Sequence, residues 1–224
     1  ARHAFAVFLF AAALIMTAPA YSLDIQGHRG ARGLMPENTL PAFAHALALG
    51  VTTLELDCAI TQDGVVVVSH DSILNPDITR GPDGEWLAQD GPPIRQLTYD
   101  ELQRYDVGRI NPGSEYAARF PRQQAVDGAR IPRLAEVFAL ARNAGNDTVR
   151  FNIETKLSPL YPERTAPPEV FVRTLTTLII KDKMERRATI QSFDWRTLAI
   201  VQQEAPEIST VYLTAQQSST DNIL

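Results

Sequence analysis

From Asp24 onward the chain switches repeatedly between short apolar runs and helix-period stretches. A pattern that moves from period 2 to period 3.6 and back builds βαβ units, whose right-handed crossovers favour a parallel sheet covered by helices. Strands are expected at Asp24–Gly27, Thr52–Thr61, Val65–Val68, Val149–Leu157, Ala188–Phe193 and Ile208–Leu213. Between them, Asn38 reads as the cap of a helix carrying Leu40, Phe43, Ala44, Leu47 and Ala48;. Further helices are expected at Leu134–Ala144, Glu169–Lys183 and Asp194–Glu204. Val65–Val68 is apolar throughout, as for a parallel strand covered on both faces, and Gln62-Asp63-Gly64 before it is a tight-turn signal;. Six such strands predict an α/β (β/α)8 TIM barrel. The sequence ends just after the sixth, so the reading is a barrel truncated there, lacking its last two strands. A doubly wound open sheet is the alternative, weakened because no Gly-rich dinucleotide fingerprint follows the first strand.

Two segments stand outside this rhythm. Residues 72–130 are rich in Pro, Gly and Asp, with one helix signal in the capping-box pair Thr98 and Glu101;. A stretch this long inside a domain is usually functional, and it reads as an insertion or lid after strand 3. At the start, Arg2 and His3 precede 13 apolar residues, Ala4–Met16, followed by Ala18-Pro19-Ala20. That run is short of the roughly 20 residues a spanning helix needs, so residues 1–20 read as a signal peptide. An uncleaved anchor or a lipoprotein is the rival, the latter disfavoured by the lack of a cysteine near residue 20. No initiator Met precedes the run, so the very start of the chain is expected to be missing. The remainder, 21–224, reads as one exported domain, periplasmic or secreted, with no stable membrane insertion after cleavage. The net charge of −5 argues against nucleic acid as a partner, and Cys58, the one cysteine, excludes an intrachain disulfide;. The oligomeric state stays open.

The chemistry-bearing residues fall where strands meet their following loops, the ends that share one mouth in a barrel. Gly27-His28-Arg29-Gly30 ends the first strand, Glu55-Leu56-Asp57 lies on the second, His70-Asp71 ends the third and Glu154-Thr155-Lys156 lies on the fourth. Side chains two apart share a strand face, so Glu55 and Asp57 point together, as do Asn152, Glu154 and Lys156. Carboxylates on an otherwise apolar strand must bind a cation or face water. Glu55, Asp57 and Glu154, with no cysteine among them, suit one hard divalent cation, Ca2+ or Mg2+. The bland alternative is a salt bridge from Glu55 or Glu154 to Lys156 or Arg29. His28 and His70 supply a general base and a general acid near neutrality. Arg29 and Lys156 are suited to contact phosphate, Arg29 by forking to two oxygens.

These motifs, with Pro36-Glu37-Asn38-Thr39, Thr61-Gln62-Asp63-Gly64, Leu97-Thr98, Ile131-Pro132 and Gln191-Ser192-Phe193 in the same order, resemble the glycerophosphodiester phosphodiesterase family. The resemblance implies a metal-dependent TIM-barrel hydrolase acting on a small glycerophosphodiester and releasing an alcohol and sn-glycerol 3-phosphate. Such a reaction belongs to the use of phospholipid-derived glycerol. It implies His28 and His70 as acid and base, Glu55, Asp57 and Glu154 as metal ligands, and Arg29 and Lys156 as phosphate contacts. Glu37 supports the site from behind or serves only packing and capping. The sequence departs from the family at Cys58, usually aliphatic, and in the absence of closing strands. A phospholipase D-like barrel acting on sphingo- or lysophospholipids is a rival reading, and a non-catalytic phosphodiester-binding protein is another.

Overall fold

The structure is a computed structural model in which residues 23–215 are described. The segment read as a signal peptide, residues 1–20, lies outside the described residues, as does the end of the chain after Ala215. One sheet organises the rest. It contains β1 (Gln26–Gly27), β2 (Thr53–Ile60), β3 (Val66–Val68), β4 (Arg150–Thr155), β5 (Ala188–Ser192) and β6 (Ser209–Tyr212). The order β1-β2-β4-β5-β6 is parallel throughout, and β3 pairs antiparallel with β2. This order follows the chain without reversal, whereas a doubly wound sheet needs a point where it turns back. The fold is of the TIM-barrel class, with five parallel strands among the described residues.

The third strand corrects the expectation. Val66–Val68 is buried on both faces, but it is the return arm of a hairpin rather than a parallel barrel strand. Thr61 and Val65 close the turn through a 3.0 Å hydrogen bond, with Gly64 at φ 80°. So short a link joins only antiparallel strands, because a parallel pair needs a crossover of about a dozen residues. Burial on both faces reports what covers a strand, not its direction. Val66 and Val68 face the main core, and Val67 faces a second one.

The helices follow the sequence pattern with small shifts. They are α1 (Leu40–Ala48), α2 (Tyr99–Leu102), α3 (Glu115–Arg119), α4 (Leu134–Asn143), α5 (Pro168–Lys181) and α6 (Trp195–Glu204). The cap of α1 is Thr39, not Asn38. The Thr39 hydroxyl accepts from the Ala42 N–H, and Asn38 sits one residue earlier at φ 55°. Asp194 caps α6 as expected, accepting from the Arg196 N–H. Helices α1, α4, α5 and α6 bury their apolar faces on one side of the sheet, against Leu54, Leu56, Phe151, Ile153 and Ile190. Phe138 of α4 meets Phe151 edge-on at 4.8 Å, and truncating either to Ala is expected to cost about 3–5 kcal/mol;.

Residues 72–130 are less loop-like than their composition implies. Ile94, Leu102 and Val107 join Leu74, Ile131, Ala59 and Val67 in a separate apolar cluster, with Tyr99 and Tyr105 packed against it. Thr98 and Glu101 form the expected capping box of α2. The Pro- and Asn-rich approach to α3 hid that helix from a periodicity reading. Its cap is Ser114, whose hydroxyl accepts from the Ala117 N–H.

Candidate active site

Strand register creates the acidic cluster. Along β2, Leu54, Leu56 and Cys58 enter the core, so Glu55 and Asp57 share the opposite face;. Asp57 is paired across the ladder with Glu154 of β4, which in turn is paired with Gln191 of β5. Glu55, Asp57 and Glu154 are all buried, and each offers an oxygen within 4.8 Å of the others.

Three carboxylates this close resist ionisation together. Burial, and then the charge of Asp57, pushes the Glu55 carboxyl up to about 8;. Burial also raises Glu154, although the Lys156 ammonium opposes it from 2.7 Å. The salt bridge from Lys156 to Glu154, the bland alternative to an ion, is therefore present, with Asp57 at 3.9 Å from the same ammonium. It neutralises one acid of three. The set fits a hard divalent cation, being all oxygen, crowded and buried. Beside it Asn38 Oδ1 is a further oxygen, buried without a hydrogen-bond partner;.

The turn after β1 builds the next layer. Arg29 (φ 51°) and Gly30 (φ 81°) both take the left-handed region, which points the Arg29 N–H at Glu55 Oε2, 2.9 Å away. A side chain at Gly30 would also meet the Ala42 backbone at 2.8 Å. The Arg29 guanidinium donates to Glu37 at 2.7 Å, and its Nε lies 3.4 Å from Asp57. Glu37 is thus a buried partner of Arg29 rather than a helix-capping group, and it also accepts from the Tyr116 hydroxyl of α3.

The two histidines stand at the rim in unlike surroundings. His28 Nε2 lies 3.8 Å from Glu55, and Nδ1 is 2.9 Å from an Arg32 guanidinium nitrogen. Arginine only donates, so Nδ1 accepts. Burial first, then the Arg32 and Arg29 charges, push the His28 imidazole below its ordinary range. His70 Nδ1 lies 2.9 Å from the carboxylate of Asp71 and donates to it, leaving Nε2 uncommitted. Burial alone would raise Asp71, but hydrogen bonds from His70 and Asn75 and the His70 charge hold it low. His70 borders a cavity of about 390 Å³ with Arg29 and Glu37. His28 borders an adjoining one of about 330 Å³, and Arg32 lines both.

Contacts under 4 Å link seven of the eight residues expected from sequence, His28, Arg29, Glu37, Glu55, Asp57, Glu154 and Lys156, and His70 shares a cavity wall with Arg29 and Glu37. Four residues have supporting roles that the sequence reading does not assign them. Asn38 donates to Asp57 at 2.9 Å and Gln191 donates to Glu55 at 2.9 Å. Asp71 orients His70, and Tyr116 holds Glu37. Gln191 carried a usable signal, a lone amide between Ile190 and Ser192 on a buried strand. Tyr116 carried none.

Fold and site together define a TIM-barrel protein with an acidic cluster suited to a cation and two imidazoles beside it. The chain belongs to the glycerophosphoryl diester phosphodiesterase family, whose model matches residues 28–223. A glycerophosphodiester phosphodiesterase from Caldanaerobacter subterraneus subsp. tengcongensis is 34% identical over 182 residues, covering 81% of this chain and 62% of that protein. A human lysophospholipase D is 40% identical over 113 residues, 50% of this chain and 31% of that one. A crystal structure from Silicibacter pomeroyi, assigned to the same family, is 36% identical with a TM-score of 0.82, covering 89% of this chain and 67% of that one. The chain spans under two thirds of the length of the first curated relatives it matches.

Proposed function

We propose that the protein hydrolyses glycerophosphodiesters to an alcohol and sn-glycerol 3-phosphate, with one divalent cation, Ca2+ or Mg2+, held by Glu55, Asp57 and Glu154. The observation that carries this reading is the buried three-carboxylate cluster, oxygens within 4.8 Å, with His28 Nε2 3.8 Å from it and His70 on the adjoining cavity wall. When bound, such a cation offsets charge on phosphoryl oxygens. The chain's own groups carry the rest. Arg29 and Lys156 bring positive charge to the mouth, and Arg29 is held rigid by Glu37. Hydrolysis removes a proton from the attacking oxygen and delivers one to the departing alkoxide. His70 is suited to one transfer because Asp71 fixes its Nδ1–H and leaves Nε2 free, and His28, with Nε2 3.8 Å from Glu55, is placed for the other. A binding protein has no need of both imidazoles.

The likeness to a lysophospholipase D favours a second reading, in which the leaving portion carries an acyl chain. The polar cavity wall of arginines, histidine and aspartate opposes it. The test is release of sn-glycerol 3-phosphate from glycerophosphocholine by the full-length protein, with lysophosphatidylcholine in parallel. Release from the first, abolished by EDTA and restored by Ca2+ or Mg2+, is expected. Release only from the lysolipid selects the second reading, and undiminished activity after metal removal overturns the carboxylate assignment. Export to the periplasm or medium is part of the same proposal, motivated by residues 1–20; an intact N-terminus on protein confined to the cytoplasm would refute it.

A further inference from the structure

One wall of the cavity beside His70 supplies neither a metal ligand nor a proton-transfer group. Helix α3 of the insertion supplies Tyr116 and Arg119, followed by Phe120, and Arg32 reaches them from the turn after β1. The four side chains interleave. The Arg32 guanidinium lies 4.8 Å from the Phe120 ring centre, and Arg119 lies 5.5 Å from Tyr116 and 5.9 Å from Phe120. Tyr116 and Phe120 meet edge-on at 5.0 Å. Two consequences follow. The aromatic rings are already in contact with guanidinium groups, which would compete with and repel a quaternary ammonium that stacked on them. Among the described residues no carboxylate lies within 4.0 Å of Arg32 or Arg119, so two positive charges face the cavity unneutralised. The acids lining it, Glu37 and Asp71, are already engaged, Glu37 by Arg29 and Tyr116, Asp71 by His70 and Asn75.

We propose that Arg32, Tyr116, Arg119 and Phe120 form a subsite that selects diesters whose alcohol carries a second anionic group. The inference rests on the phosphodiesterase reading above and names the substrate class within it. Guanidinium forks match phosphate and carboxylate oxygens, and stacking on aromatic rings holds both forks in place at low entropic cost. The glycerol phosphate half is common to every substrate, so a charge preference can act only through the alcohol.

The experiment compares glycerophosphoglycerol with the same diester bearing a terminal phosphate monoester, in the full-length protein with saturating divalent cation. The phosphorylated diester is expected to show a kcat/KM at least about tenfold higher. Arg119→Gln is expected to cut that ratio by about fivefold or more, the discount reflecting an exposed side chain. Arg122→Gln removes the same charge outside the cavity and is expected to leave the ratio unchanged. Equal kcat/KM for the two diesters, or equal effects of the two variants, overturns the subsite while leaving the hydrolase reading intact. If neither diester is hydrolysed, the hydrolase reading fails instead. Calorimetric titration of the same two compounds then decides the subsite, with equal affinity refuting it.

Discussion

Glu55, Asp57 and Glu154 stand on adjacent strands whose backbone ladder fixes their spacing, whereas Tyr116 and Arg119 stand on a five-residue helix arriving from a segment with its own apolar cluster. The first group is buried and crowded with like charge; in the second Tyr116 is half-buried, and Arg119 is exposed and of the opposite sign. The acids have a place that no side-chain motion alters much, which suits holding an ion. The insertion wall is joined to the site through the Tyr116–Glu37–Arg29 chain and through contacts of Tyr116, Phe120 and Gln123 with Arg32, which suits a surface that tunes rather than performs chemistry.

That contrast orders the expected effects. Asp57→Asn should weaken divalent-cation binding by at least about 10²-fold and abolish turnover at ordinary metal concentrations. Titration calorimetry showing wild-type affinity would remove Asp57 from the ion's ligands. His28→Ala or His70→Ala should lower kcat by about 10²–10⁴ while cation binding persists. Near-normal turnover in either variant strikes that residue from the mechanism. Tyr116→Phe, on the insertion side, should act mainly on KM, raising it about threefold to tenfold by freeing Glu37 and loosening Arg29. A loss comparable to the histidine variants would erase the distinction between the two walls.

The smallest effect is thermal. The Glu55 carboxyl is raised to about 8, so the folded chain holds that proton more tightly than the unfolded one. Its stabilising contribution is complete below the unfolded value of 4.5 and is lost as pH rises through about 8;. Metal-free protein should therefore melt at least about 3 °C lower near pH 8.5 than near pH 5.5, with saturating Ca2+ narrowing the gap. A melting temperature that climbs across this window in EDTA would contradict the crowded-acid picture.

What the sequence made legible follows the same division. The parallel strands, helices α4 to α6 and all eight residues of the mouth were readable, because strand alternation and position at a strand end fix where a side chain points. The direction of β3 was misjudged because Val66–Val68 reports only that both its faces are covered. The Gln62-Asp63-Gly64 turn held the correct answer. Asn38 was assigned to the helix cap because Asn favours that position; its bond to Asp57, 19 residues on, has no local signature. Tyr116 was invisible for the same reason, being 79 residues from Glu37.

The β2–β3 hairpin has one more consequence. The insertion leaves the barrel after β3 and returns at Pro132, and these two roots are joined: the Val68 N–H donates to the Pro132 carbonyl at 2.9 Å, and Val67 bridges to Arg133. On the other side, Cys58, Ala59 and Ile60 pair with β3, and the Ser69 N–H donates to the Asp57 carbonyl. Because the segment is stapled at both ends into one ladder, moving its roots would tear the backbone bonds beside Asp57. The roots of the insertion are therefore held in the same ladder as the strand that carries Asp57.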